Sequence, residues 1–198
     1  GGGKMGPGMK VGLVGLGGLG YMARKFAHAF GAELTLSTTS ESKAADAKKL
    51  GASHIVVSSD REAMKSARGF DFILDTVSAV HDINPYLSAL KRNGTLCLVG
   101  LPDQQLAFKS SLVLSNKVIS GSMIGGIQET QEMLDYCGKH NITADVELIS
   151  IDEINDAFER VVTGDVKSRF VIDLATLTNQ KSKYAPFSRR MARLCTSL

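Results

Sequence analysis

The chain has 198 residues, 43% of them hydrophobic and 22% charged, which suits one full α/β core and is too short for two large domains. Of its 23 Lys and Arg, five (Lys181, Lys183, Arg189, Arg190 and Arg193) lie beyond Thr178 with no acid among them; the remainder carries 18 basic against 20 acidic residues, a net of −2 that gives no nucleic-acid footprint. Cys97, Cys137 and Cys195 are far apart, without C-x-x-C or Cys/His ligand spacing, which argues against a disulfide framework and a metal site and makes a reducing, cytoplasmic setting the default.

The opening Gly-Gly-Gly-Lys-Met-Gly-Pro-Gly lacks the apolar core of a signal peptide and reads as a linker or a cut end; no apolar run downstream approaches the length of a membrane span. An apolar run then leads into Val11-Gly-Leu-Val-Gly15-Leu-Gly17-Gly18-Leu-Gly20, a G-x-G-x-x-G between a predicted strand and a predicted helix. Gly15 makes the tight turn, Gly17 removes the Cβ that would keep a pyrophosphate away, and Gly20 lets helix and strand pack closely. The anion then rests on the N–H groups and the positive dipole end of the helix starting near Leu19. Leu19, Ala23, Phe26, Ala27 and Phe30 recur at helical spacing, so that helix is expected to turn one apolar stripe to a sheet, with Gly31 ending it. Glu33 to Ser37 reads as a second strand and completes a βαβ unit that binds a dinucleotide. The bland alternative is a glycine-rich turn without a ligand.

The tip of the second strand distinguishes two cofactors. A fold that selects NAD places an Asp or Glu there to hold the ribose hydroxyls. This chain has Ser37-Thr38-Thr39-Ser40-Glu41-Ser42-Lys43. Thr38, Thr39 and Ser40 can donate to a 2′-phosphate and Lys43 can pair with it, which favours NADP(H) over NAD; Glu41 opposes this, and Ser40 or Ser42 could simply cap the next helix.

Further along, Ser42 to Leu50 is predicted as a helix, His54 to Val57 as a strand, Arg61 to Ala67 as a short helix and Phe70 to Asp75 as a fourth strand. Asn84-Pro85 opens a helix to Leu90, Lys91 to Gly94 turns, Thr95 to Val99 is a fifth strand and Val118 to Gly121 a sixth, before a helix from Gln128 to His140. Six strands alternating with helices predict a Rossmann-type, doubly wound six-stranded parallel sheet over 1–141, with ligands at the carboxyl ends. Thr76, Val77, Val99, Gly100, Ser122 and Ile124 are then expected to face the cleft. Val146 to Ile149, Asp152 to Val162 and Phe170 to Ile172 read as strand, amphipathic helix and strand.

Gly15 to Gly20, the Ser/Thr-rich tip with Lys43, Lys49-Leu-Gly-Ala52, Phe72-Ile-Leu-Asp-Thr76, Gly94-Thr-Leu-Cys-Leu-Val-Gly100, Gly121-Ser-Met-Ile-Gly-Gly126 and Arg169-Phe-Val-Ile-Asp173 together resemble the zinc-dependent medium-chain alcohol dehydrogenases. The nearest branch is the cinnamyl-alcohol-dehydrogenase-like, NADP-preferring group with its bacterial aldehyde reductases, and the resemblance spans about Gly6 to Leu177. It implies a parent reaction, the reversible NADP-linked reduction of aldehydes to primary alcohols. It places the pyrophosphate at the backbone of Gly17, Gly18 and Leu19, and the 2′-phosphate at Thr38, Thr39, Ser40 and Lys43. Nicotinamide contacts fall at Thr76, Val99 and the backbone from Ser122 to Ile124, and Arg169 matches an arginine that reaches the phosphates.

In that family an N-terminal domain holds a catalytic zinc on Cys, His and acidic ligands and usually a structural zinc on four cysteines; neither motif is in this chain, so no catalytic residue and no metal ligand is assigned. His28, His54, His81 and His140 are expected to be solvated rather than catalytic. Residues 142–177 correspond to a piece that in the family returns to the catalytic domain, leaving an apolar face to pack elsewhere or stay exposed. The 178–198 tail departs from the family and reads as a disordered or appended extension, or as an amphipathic helix from Ser188 to Leu198. Family members dimerise through the edge strand near Ile119, so a homodimer is expected here. The competing function is a non-catalytic module that binds a dinucleotide or pairs with itself; a methyltransferase would want an acid at the second strand tip.

Overall fold

The computed structural model describes residues 5–38, 54–163 and 169–179, which fall into two units divided between Thr143 and Ala144. The first unit is built on six parallel strands: β1 (Lys10–Val14), β2 (Glu33–Thr38), β3 (His54–Val57), β4 (Phe70–Asp75), β5 (Leu90–Leu98) and β6 (Val118–Gly121). Their spatial order is β3-β2-β1-β4-β5-β6. The order therefore reverses between β1 and β4, the switch point at which a doubly wound sheet opens a crevice at the carboxyl ends. Among the described residues four α-helices accompany the sheet: α1 (Gly18–Ala29), α2 (Arg61–Ser66), α3 (Asn84–Ala89) and α4 (Ile127–His140). The helix predicted over Ser42 to Leu50 lies outside the described residues.

The central strands are apolar on both faces because both are covered. Val11 and Leu13 share one face with Leu34, Leu36, Phe72 and Ala27 of α1. Val14 and Ile73 point the other way and pack with Leu96 and with Ile83, Tyr86 and Leu87 at α3. Leu13, Leu36, Ile73, Leu87 and Leu96 are at most 1% exposed, and each such burial contributes about 1.5–3 kcal/mol. Asp60 caps α2, accepting from the N–H groups of Glu62 and Ala63 at 2.9 and 3.0 Å.

Two local expectations are corrected. The α1 stripe does not all face the sheet: Ala27 is buried against it, whereas Leu19 is 56% exposed and Phe26 and Phe30 are only half-buried. Small side chains let the helix sit close, and the bulky ones are turned to a cleft. The turn predicted at Lys91 to Gly94 is an irregularity inside β5, where Leu90 already pairs with Phe70 and the register shifts before Phe72. Asn93 absorbs the bend at φ 63°, and Val99 lies just past the strand.

In the second unit, β7 (Val146–Ile149) pairs parallel to β8 (Arg169–Ile172), and a 3-10 turn (Ile151–Glu153) leads into α5 (Ile154–Val162). Ser150 and Glu153 form a capping box at that turn. Arg160 donates to both oxygens of Glu147 at 2.7 and 3.1 Å while lying 4.7 Å from the Phe170 ring, which holds the Glu147 carboxyl below the usual glutamate range. Of the apolar register expected on α5, Ala157 is buried, but Phe158 and Val161 stay exposed, as does Leu148 on β7.

Candidate functional site

The glycine turn is dictated by steric contact. Gly15 takes φ +93°, a conformation that side chains disfavour, and its N–H donates to the Ser37 carbonyl at 3.3 Å. A Cβ on Gly20 would lie 2.2 Å from the Gly15 carbonyl oxygen, so this position admits glycine alone. Gly17 is the opposite case, because a Cβ there would meet nothing within 4 Å. Gly17 is also the N-cap of α1; among the described residues no side chain caps the helix, and no acid occupies its first turn. The positive end of a twelve-residue helix thus stands behind an open stretch of backbone, the arrangement that accepts a phosphate.

The ends of the neighbouring strands are stepped against this turn. Thr76 donates to the Val14 carbonyl from both N and Oγ1, at 2.9 and 2.8 Å. Val99 and Gly100 both donate to the Asp75 carbonyl, at 2.9 and 3.3 Å, and Ser122 N donates to that of Leu98 at 3.2 Å. A Cβ on Gly100 would sit 2.2 Å from the Val77 carbonyl oxygen, so β5 leaves the sheet hard against the β4 exit.

Above these strand ends lies a cleft of about 860 Å³. Leu19, Thr76, Val99, Gly100, Ser122 and Ile124, all expected from the sequence, line it. Phe26 and Phe30 of α1 join them with Met123, giving an apolar trough with a few polar groups at its base, the usual make-up of a small-molecule site. Val77, also expected to line the cleft, instead packs beneath it against the α3 side of the core. Thr38 is the last residue of β2, where it is buried and its carbonyl accepts from Ser58 N at 2.8 Å. Thr39, Ser40 and Lys43 lie outside the described residues, as does the 180–198 part of the tail. Arg169 belongs to the second unit, where it opens β8 opposite Val146.

A buried pair at the end of β4 was not expected. Asp75 is 1% exposed; its Oδ1 accepts from Val77 N at 3.0 Å, and its Oδ2 lies 2.8 Å from His81 Nε2. The other ring nitrogen of His81, Nδ1, lies 2.9 Å from the Ala79 carbonyl oxygen. The expectation of a solvated His81 is therefore corrected: its side chain is 19% exposed and held at both nitrogens. The signal available in the sequence was an Asp ending an apolar strand, a position that favours an Asx turn, but nothing local points to a histidine six residues on. Tyr86 packs beside the pair, 6.1 Å from the His81 ring, with its hydroxyl 3.5 Å from Ser37 Oγ. Burial pushes the Tyr86 phenol up; the hydrogen bond with Ser37 opposes this, and the Asp75 charge, a lesser effect, adds to it. His28 is exposed, His54 lies 3.5 Å from Glu33, and His140 stacks on Tyr136 at 4.1 Å.

Among the described residues no three His, Cys, Asp or Glu side chains come together to hold a metal ion, and no helix is long and apolar enough to cross a membrane. Comparison with known proteins points in one direction. A family described as zinc-binding dehydrogenase matches residues 18–139. Aldehyde reductase YahK of Escherichia coli is 52% identical over 181 residues, covering 89% of this chain and 51% of that protein. An 8-hydroxygeraniol dehydrogenase of Catharanthus roseus is 55% identical over 172 residues, covering 85% and 48%. Among solved structures, a cinnamyl alcohol dehydrogenase of Sorghum bicolor superposes with a TM-score of 0.82 at 42% identity over 86% of this chain and 49% of that one. A cinnamyl alcohol dehydrogenase of Helicobacter pylori, complexed with NADP(H), gives 0.74 at 38% identity over 86% and 49%. The chain spans about half the length of the curated relatives it matches. With the parallel sheet, the glycine turn and the strand-end cleft as its physical counterpart, this similarity makes the chain a member of the zinc-binding dehydrogenase family, whose relatives here are alcohol dehydrogenases and an aldehyde reductase.

Proposed function

We propose that this chain is the NADP(H)-binding part of an alcohol dehydrogenase or aldehyde reductase that interconverts aldehydes and primary alcohols. The observation that carries this is Gly17, open on its Cβ side at the N-terminus of α1, two residues before Leu19, which lines the strand-end cleft. The backbone of Gly15, Gly17, Gly18, Leu19 and Gly20 would hold the pyrophosphate, and Thr76, Val99, Gly100, Ser122 and Ile124 the nicotinamide end. When bound, the dinucleotide supplies or takes up a hydride. The residues of this chain orient it and exclude water: Leu19, Phe26 and Ile124 present apolar surface, and the Thr76 hydroxyl is directed by its bond to Val14. Thr38, Thr39, Ser40 and Lys43 are assigned to the 2′-phosphate. The relative crystallised with NADP(H) supports the choice of cofactor.

The donor set for zinc is not among the described residues, and the 198-residue chain is expected to bind NADPH without reducing aldehydes. Buried free thiols at Cys97 and Cys137 fit a reducing, cytoplasmic setting. β6 is an edge strand with Val118 47% exposed, which supports pairing with a second copy.

Titration of the chain with NADPH and separately with NADH, followed by nicotinamide fluorescence, tests the assignment. Tighter binding of NADPH is expected. Equal or tighter binding of NADH would remove the 2′-phosphate assignment, and binding of neither would leave a self-pairing module as the better description.

A further inference from the structure

We propose that the Asp75–His81 pair is a proton-dependent clasp on the dinucleotide cleft: His81 is a positioning residue that holds the loop leaving β4, and its protonation couples cofactor affinity to pH. This rests on the assignment of the cleft to a dinucleotide.

The loop from Thr76 to His81 packs against two glycines, Gly15 and Gly100. The Thr76 hydroxyl lies 2.7 Å from where a Gly15 Cβ would stand, and the Val77 carbonyl oxygen 2.2 Å from where one on Gly100 would stand. Thr76 also lines the cleft, so a shift of this loop moves the site directly. Its near end is fixed by the two Thr76 bonds to Val14 and by Val77 N on Asp75 Oδ1. Its far end is tied by the His81 ring, which bridges Asp75 Oδ2 and the Ala79 carbonyl at 2.8 and 2.9 Å.

Both ring nitrogens therefore face oxygen acceptors. A neutral imidazole has one N–H and serves one of them; only the doubly protonated ring donates to both while balancing the buried carboxylate. Among the described residues, the groups facing the pair are otherwise uncharged or acidic. Tyr86 on α3 presents its ring edge, Ser37 on β2 lies beyond the Tyr86 hydroxyl, Ser58 after β3 bonds that hydroxyl, β1 and β5 place Val14 and Leu98 in register with Asp75, and Asp82 follows His81 in the loop. The closed clasp thus carries one proton more than the open one. That proton leaves to water across the exposed part of His81, after which a nitrogen lone pair confronts an oxygen less than 3 Å away and the loop is freed at its far end.

The test measures NADPH affinity of the 198-residue chain and of His81→Gln between about pH 5.5 and 8.5, the span over which an imidazole titrates. Glutamine can donate to Asp75 but carries no titrating charge. The ratio of the two affinities cancels titration of the cofactor's own phosphate. In the unsubstituted chain affinity is expected to fall about tenfold relative to the variant as pH rises, the worth of a charge-assisted hydrogen bond. Parallel profiles overturn the clasp while leaving the dinucleotide assignment intact. Absence of binding by the unsubstituted chain at every pH overturns that assignment, and the clasp with it. Should His81→Gln not fold, nitrogen chemical shifts of the assigned His81 ring in the unsubstituted chain decide. A titration moved upward by NADPH supports the clasp, and one that NADPH leaves in place overturns it.

Discussion

The inner and outer walls of the cleft are made on opposite terms. Inside, where β1, β4 and β5 end, backbone lies on backbone, and a methyl group on Gly20 or Gly100 would fall 2.2 Å from a carbonyl oxygen. Outside, past β6, Met123 and Ile124 are 83% and 93% exposed, and at the glycine turn after β1 a methyl on Gly17 would likewise meet open space. The inner wall is therefore shaped by the fold itself and keeps its form without an occupant. The outer wall is apolar surface in water, and an occupant is what would cover it.

Breaking that contrast begins with Gly100→Ala, which has the largest expected effect. The clash is with the Val77 carbonyl and the Ser78 nitrogen, main-chain atoms that cannot swing aside, so urea unfolding is expected to show a loss of about 3 kcal/mol or more. A midpoint equal to that of the unsubstituted chain would refute a sterically locked inner wall. Gly17→Ala should do the reverse, holding stability within about 1 kcal/mol because only the N-cap preference changes. NADPH affinity should fall at least about tenfold as the Cβ enters the phosphate path. Unchanged affinity in a titration would place the pyrophosphate elsewhere.

Away from the cleft, Asp71 controls how the amino ends of the strands are tied. Burial alone would raise its carboxyl, but the ion pair with Lys91 and the Lys10 N–H at 2.9 Å outweigh it and hold the group below its ordinary 3.8. A carboxyl depressed on folding adds stability above its unfolded value and loses it as pH falls through the folded one. Asp71→Asn is thus expected to cost about 1 kcal/mol at neutral pH, with the difference fading in thermal melts below about pH 4. A difference that persisted unchanged into strong acid would show that charge is not what Asp71 contributes. The smallest effect is expected at the outer wall: Ile124→Ser should leave stability within about 0.5 kcal/mol, since the side chain is already in water, and weaken NADPH binding a few-fold. A larger loss of stability would mean that this wall is packed in solution.

Much of the first unit was legible because its signals are local. The glycine spacing, Asn84-Pro85 at a helix start and the apolar strand runs each act within a few residues, and the elements they announce stand within one or two residues of expectation, with β5 the exception at its start. The β5 boundary was misjudged because Lys91 to Gly94 has turn chemistry, yet Leu90 finds a partner in Phe70, twenty residues earlier. The α1 stripe was read as one face because periodicity shows which residues share a side, not how wide the covering sheet is. Asp75 with His81 was missed for a related reason: a histidine in a polar loop looks solvated until the strand end that buries its partner is in place.

The amino-acid sequence by itself determined the strand and helix alternation, the glycine turn and five of the strand-end residues at the cleft, because backbone conformational limits and side-chain periodicity operate along the chain. Only the tertiary structure decided which side of α1 meets the sheet, which glycines are closed by contact and which is open, and which polar groups are buried together. Those depend on distances between segments far apart in sequence, and there the packing of one backbone against another, not any local preference, sets what fits.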